Sequence, residues 1–132
     1  MKIYVDTTNY KGCLIDNFII SYESSEIYFD RANGCLCAKT NNNNEYCLIY
    51  AKSFYKSLSL DDKLKFERNI FAHLLDIIEI SQDDGGNIIK ITYLNENRIC
   101  IHYSDYESNV DYVIDFQDLI NDKEEMNGED IC

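Results

Sequence analysis

A long amphipathic segment that follows Ser59 limits the architectures open to this chain. Its apolar residues recur at three- and four-residue spacing and cover about half of a helical wheel. They are Leu60, Leu64, Phe66, Ile70, Phe71, Leu74, Leu75, Ile77 and Ile78. Ser59 is a favourable N-cap, and Asp61 and Asp62 complement the helix dipole. The pattern predicts a helix that ends near Ser81 and buries one face.

Before this helix the sequence favours strands. Short runs of β-branched and aromatic residues are separated by turn signals. The predicted strands are Lys2 to Val5, Cys13 to Ile20, Glu26 to Arg31 and Cys35 to Lys39. Asn33-Gly34 predicts a two-residue hairpin turn, because both central positions of a type I′ turn need positive φ. The first third of the chain is therefore predicted to form an antiparallel meander.

From Glu45 to Leu58 the apolar period changes to three and four, which predicts a second amphipathic helix. The stretch from Tyr46 to Tyr50 alone is also compatible with a strand. We interpret the whole segment as helix.

After Gly85-Gly86 the pattern returns to strands. The predicted strands are Asn87 to Leu94, Arg98 to Tyr103 and Val110 to Phe116, and a short helix is expected from Asp115 to Met126. We predict one α+β domain over residues 1–126, in which antiparallel β-hairpins or a sheet pack against two central helices, with a short C-terminal helix. Residues 127–132 are expected to form a frayed acidic tail.

The net negative charge of the chain indicates which class of molecule it can bind. The 132 residues include 24 acids and 12 bases, for a formal charge of −12, and the last 30 residues hold ten acids and one base. Such a field repels nucleic acid and anionic membranes and attracts cationic proteins. We therefore expect a basic protein partner, with no nucleic acid and no membrane.

The six cysteines bear on compartment and chemistry. The N-terminus lacks a signal-peptide h-region and no stretch is apolar enough to span a bilayer, so we expect a cytoplasmic protein with reduced thiols. Cys35-x-Cys37 and Cys100-x-His102 are the best candidates for a zinc site, but their spacing differs from zinc knuckles. Cys100 and His102 would lie about 6–7 Å apart on a strand, too far for direct activation. We predict no catalytic residue, no metal and no cofactor.

Lys63 and Glu67 project into the apolar half of the long helix. Either this end of the helix overhangs the core and the pair is solvated, or the pair borders a binding groove.

Acids and tyrosines alternate between Tyr103 and Tyr112. Tyrosine supplies rigid contact area and carboxylates pair with lysine and arginine, so this stretch favours a surface for a cationic protein. The predicted partner-binding residues are Tyr103, Asp105, Tyr106, Glu107, Asp111, Tyr112 and Asp115.

These features predict a non-enzymatic immunity or inhibitor protein, which occludes the active cleft of a basic bacterial toxin such as a nuclease. One alternative is a phage-encoded protein that mimics nucleic acid and blocks a defence nuclease. The other is a small enzyme or ligand-binding domain that uses Cys100, His102 and carboxylates.

Overall fold

The computed structural model describes residues 1–8, 10, 15–83, 88–104 and 109–121, which contain eight strands and two α-helices. The strands are β1 (Lys2–Asp6), β2 (Phe18–Ser21), β3 (Ser25–Asp30), β4 (Cys35–Thr40), β5 (Glu45–Tyr50), β6 (Ile88–Asn95), β7 (Arg98–Ser104) and β8 (Asn109–Asp115). The helices are α1 (Lys52–Lys56) and α2 (Leu60–Asp83). The predicted α+β class is confirmed.

The strands form two separate sheets. The larger sheet has the order β2-β1-β6-β7-β8 and the smaller has the order β3-β4-β5. Neighbouring strands are antiparallel except β1 and β6, which are parallel. A parallel pair needs a long crossover, and the chain between β1 and β6 includes the whole smaller sheet and α2. The meander prediction therefore holds for the pair β3 and β4, whereas β1 and β2 belong to the larger sheet. The third strand of the smaller sheet, β5, comes from the segment that was predicted as a helix.

Helix α2 confirms the amphipathic prediction. Ser59 caps it through its Oγ, which accepts a hydrogen bond from the Asp62 amide at 3.2 Å. Phe66, Ile70 and Leu74 are fully buried in one core cluster that includes side chains from both sheets. The helix thus contributes to a single core with both sheets.

The predicted helix from Glu45 to Leu58 is wrong over its first half, which is the strand β5. A bulge explains the misleading pattern. Leu36 pairs with Ile49 but Cys37 pairs with Cys47, so Leu48 is an extra residue and lies buried beside Ile49. Two consecutive buried residues break the alternation that identifies a strand. Only the five-residue helix α1 remains of the second central helix.

The side chain of Tyr93 on β6 connects the two sheets. Its buried hydroxyl donates to the Leu48 carbonyl at 2.8 Å and accepts from the Tyr50 amide at 2.7 Å. The hydroxyl thereby satisfies two backbone groups of β5, one of the two edge strands of the smaller sheet.

The predicted hairpin at Asn33-Gly34 forms, but its loop is longer than two residues. β3 ends at Asp30 and β4 begins at Cys35. Gly34 has φ of 59°, while Asn43 is the one non-glycine residue in the described ranges with positive φ, so Asn33 does not adopt the type I′ conformation. The Asp30 carboxylate instead accepts from the amides of Ala32 and Asn33.

Within the described residues, the predicted C-terminal helix is a 3₁₀ turn, Phe116–Leu119, capped by the Asp115 carboxylate, which accepts from the Gln117 amide at 3.0 Å. Residues 122–132, which include the rest of the predicted helix and the tail, lie outside the described ranges. Although α2 is 24 residues long, neither it nor another helix in the described part of the chain has the apolar length that crossing a bilayer requires.

Candidate functional site

The larger sheet packs one face on the core and presents its other face outward. Lys90, His102 and Asp111 lie side by side across β6, β7 and β8 on this outer face. The same face carries large apolar side chains that are about half exposed, including Ile88 at 45% and Val113 at 59%. The outer face therefore combines charged groups with exposed aliphatic groups.

Four of the predicted partner-binding residues lie on β7 and β8. Asp111, Tyr112 and Asp115 belong to β8, an edge strand of the larger sheet, and Tyr103 belongs to β7. Tyr103 is only 2% exposed, and its ring stacks on Tyr112 with centroids 6.3 Å apart. Tyr103 and Tyr112 thus both lie on the core-facing side of the larger sheet, opposite Asp111, and Tyr112 is only partly buried there.

The remaining three predicted residues, Asp105, Tyr106 and Glu107, fall outside the described residues. They belong to the connection between β7 and β8 in the sequence. The structure therefore describes four of the seven predicted partner-binding residues.

Both described carboxylates of this set have a basic neighbour on β7. Asp111 accepts a hydrogen bond from Nδ1 of His102, and Asp115 forms an ion pair with Arg98 at 3.1 Å. The Asp111 side chain is 63% exposed and that of Asp115 is 34% exposed. Exposed pairs of this kind contribute little to stability.

Cys100 and His102 also lie on the outer face of the larger sheet, on β7. Burial raises the pKa of the Cys100 thiol, and the Asp111 carboxylate raises it further. A nucleophilic cysteine needs the opposite shift. The surroundings of Cys100 therefore favour an unreactive thiol.

The zinc candidates of the sequence do not form one group. Cys35 and Cys37 are on β4 in the smaller sheet, while Cys100 and His102 are on β7 in the larger sheet. The third sulfur near Cys35 and Cys37 comes from Cys47 of β5, and the three Sγ atoms lie within 4.8 Å of one another. We call this set the three-cysteine cluster.

A disulfide joins two members of the cluster. Cys35 and Cys47 are bonded, with Cα atoms 6.2 Å apart, which is within the usual range for a disulfide. Cys37 is free and buried. The expectation that all six thiols are reduced is thus wrong for Cys35 and Cys47 in this structure.

The cluster lies at a cavity of about 250 Å³ on the outer side of the smaller sheet. Two acids, Asp30 and Glu45, line the cavity together with Tyr46 and Tyr50. The Tyr28 hydroxyl donates to Glu45 and so helps to fix the orientation of that carboxylate.

The cavity disfavours an isolated anion. Burial raises the pKa of the Cys37 thiol to about 11, and the carboxylates of Asp30 and Glu45 contribute to this shift. Burial and the hydrogen bond to Glu45 also raise the pKa of the Tyr28 hydroxyl. At neutral pH the free cysteine is therefore protonated.

Sequence reasoning missed Cys47 because its segment was interpreted as a helix. Strand period two places Cys35 and Cys37 on one face, but the third sulfur reaches that face only through the bulge at Leu48. Without the one-residue shift, Cys47 would lie opposite Ala38, which faces the core. A strand assignment without the bulge would therefore also have missed it.

A second concave surface lies between β3 and α2. It has a volume of about 500 Å³ and is lined mainly by apolar side chains, together with the charged residues Glu67 and Arg68. Glu67 is 14% exposed, accepts from the Tyr55 hydroxyl and pairs with Arg31 at 3.0 Å. Lys63 lies 5.5 Å from the centre of the Tyr55 ring. Glu67 thus lines a groove, and a binding role for the pair of Lys63 and Glu67 stays a prediction.

Comparison with known proteins yields no match, whether with family models, curated proteins or solved structures. The function is therefore inferred from the residues of this chain.

Proposed function

We propose that this protein binds and neutralises a cationic protein partner, as an immunity or inhibitor protein does with a toxin such as a nuclease. The observation that carries the proposal is the position of β8, an edge strand of the larger sheet. It carries two of the ten acids of the last 30 residues and is exposed at its outer face.

Charge supports a cationic partner. An excess of 12 acids over bases steers a positively charged molecule toward the protein, and the excess is greatest around and after β8 in the sequence. A nuclease needs lysine and arginine to hold phosphates. Carboxylates that occupy these side chains compete with the substrate and inhibit without any catalytic residue.

The outer face of β7 and β8 supports contact as well as attraction. Val113 is 59% exposed between Asp111 and Asp115 on the same strand face. An apolar contact of this kind, flanked by carboxylates, suits a partner whose cleft has basic walls. The enzyme alternative has less support, because Cys100 has a raised pKa.

The test compares two variants with equal loss of charge. In the first, Asp105→Asn, Glu107→Gln and Asp111→Asn neutralise the predicted surface. In the control, Glu26→Gln, Asp76→Asn and Glu79→Gln neutralise three exposed acids on β3 and α2. The wild type and each variant are cross-linked to their binding partners in the native cells, and the captured proteins are identified by mass spectrometry.

We expect the wild type and the control to capture the same basic protein. With that protein purified, we expect a 1:1 complex that weakens as salt rises and inhibition of the partner's activity. The surface variant should associate about tenfold more slowly, and the control should change by less than about twofold. Equal slowing of both variants, or a complex indifferent to salt, would show that this surface is not the docking site.

A further inference from the structure

We propose that the three-cysteine cluster is a redox-controlled site for a zinc-like cation. It is closed when the Cys35–Cys47 disulfide is intact and open when that disulfide is reduced. The inference is independent of the proposed partner, and it departs from the sequence expectation that no metal is bound.

The backbone holds the three sulfur atoms together without help from a metal. Cys35 and Cys37 alternate onto one face of β4, and the bulge at Leu48 places Cys47 opposite Cys37 on that face. In a tetrahedral zinc site with Zn–S bonds of about 2.3 Å, sulfur atoms are roughly 3.8 Å apart. All three Sγ atoms already lie within 4.8 Å of one another, so small side-chain rotations complete the geometry.

The surroundings favour a cation. Asp30 and Glu45 line the same cavity, and Tyr28 holds the Glu45 carboxylate by a hydrogen bond. Carboxylates close to thiolate ligands increase the attraction for a divalent ion, and hydrogen bonds to such groups fix their orientation. Three thiolates select zinc-like ions over magnesium or calcium, which prefer oxygen ligands. The cavity of about 250 Å³ leaves room for a water molecule as the fourth ligand.

The redox step balances with a dithiol as reductant. The dithiol transfers two electrons and two protons to the Cys35–Cys47 disulfide, and it becomes a disulfide itself. The S–S bond breaks and two thiols form beside Cys37. A divalent cation then displaces the protons of the three thiols and binds three thiolates, with no further change in oxidation state.

The experiment uses the full chain and cobalt(II) as the probe. Protein is reduced, freed of reductant under anaerobic conditions and titrated with cobalt. Oxidised protein, with its disulfide verified by mass spectrometry, is titrated in parallel. The Cys37→Ser variant removes the third sulfur, and Cys100→Ser is the matched control on the other sheet. Zinc-loaded wild type is then examined by X-ray absorption.

We expect the reduced wild type and Cys100→Ser to bind one cobalt with a thiolate-to-cobalt charge-transfer band that zinc abolishes. Cys37→Ser should bind at least about 100-fold more weakly, because a lost ligand costs more than a lost outer-shell partner. Oxidised protein should show no band. X-ray absorption should count three sulfur ligands per zinc.

The proposal is overturned if the reduced wild type gives no charge-transfer band, if oxidised protein binds equally well, or if Cys100→Ser loses binding as Cys37→Ser does. Circular dichroism verifies that each variant is folded. Should Cys37→Ser be unfolded, the sulfur count in the wild type decides: three sulfurs support the site and fewer refute it.

Discussion

Replacing Tyr93 with phenylalanine should destabilise the protein far more than the loss of one oxygen atom suggests. The ring is 1% exposed, and its hydroxyl binds the Leu48 carbonyl and the Tyr50 amide of β5. Phenylalanine keeps the packing but leaves both backbone groups without this partner. Each unsatisfied buried group costs about 1–3 kcal/mol, so for two such groups we expect a loss of about 2–6 kcal/mol in the free energy of unfolding.

Urea denaturation followed by circular dichroism measures this loss. For a chain of this length, a loss of about 3 kcal/mol lowers the melting temperature by on the order of 10 °C. Tyr4→Phe is the control. Tyr4 lies on β1 with Lys90 5.8 Å from its ring centre, and phenylalanine keeps that aromatic face, so its change should stay within about 0.5 kcal/mol.

The reasoning fails if Tyr93→Phe and Tyr4→Phe melt at the same temperature. That result would mean that the two β5 groups find another partner at no cost. A changed urea m-value would mean instead that the variant alters how much surface unfolds, and the bridge would then not be the cause.

Three further predictions concern stability. Burial and a neighbouring carboxylate raise the pKa of Tyr55 to about 12, so above pH 10 the hydroxyl keeps its proton in the folded state and loses it in the unfolded state. Between pH 9 and pH 11 the free energy of unfolding, measured by urea titration, should therefore fall by roughly 1 kcal/mol more for the wild type than for Tyr55→Phe. Gly34→Ala should cost about 2 kcal/mol or more in the same assay, because Gly34 has φ of 59° and a Cβ would lie 2.9 Å from the Cα of Lys52; an unchanged midpoint would contradict this strain. Cys35→Ser with Cys47→Ser should lower the oxidised protein's stability by about 3 kcal/mol, since the bond closes a loop with a sequence separation of 12, and reduction should lower the wild type equally.

The periodicity of apolar residues correctly predicted those helices and strands in which buried residues recur at a constant spacing. The helix after Ser59 and the strands on either side of Asn95-Glu96-Asn97 each follow one period, and the structure has them within about two residues of the predicted ends. In contrast, the parallel pairing of β1 with β6 joins residues more than 80 positions apart. Sequence periodicity contains no information about such a pairing, which is decided by how the whole core packs.

The candidate surface was predicted in part. Strand alternation correctly places Asp111 and Asp115 on one face, but it does not show that His102 and Arg98 lie beside them on the next strand. The burial of Tyr103 was missed because the alternating acids and tyrosines were read as one surface. In the structure, Tyr103 and Asp111 lie on opposite faces of the sheet.

The bulge at Leu48 connects the stability of the fold with the three-cysteine cluster. The extra residue turns Cys47 outward to meet Cys35 and Cys37, and it leaves Leu48 and Ile49 both buried against the core. The Leu48 carbonyl then receives its hydrogen bond from Tyr93 in the other sheet. A regular β5 would turn Leu48 outward and Cys47 toward the core, so the sulfur cluster exists only because the bulge forms. The contact that stabilises the bulge therefore lies on the opposite side of the sheet from the chemistry that the bulge makes possible.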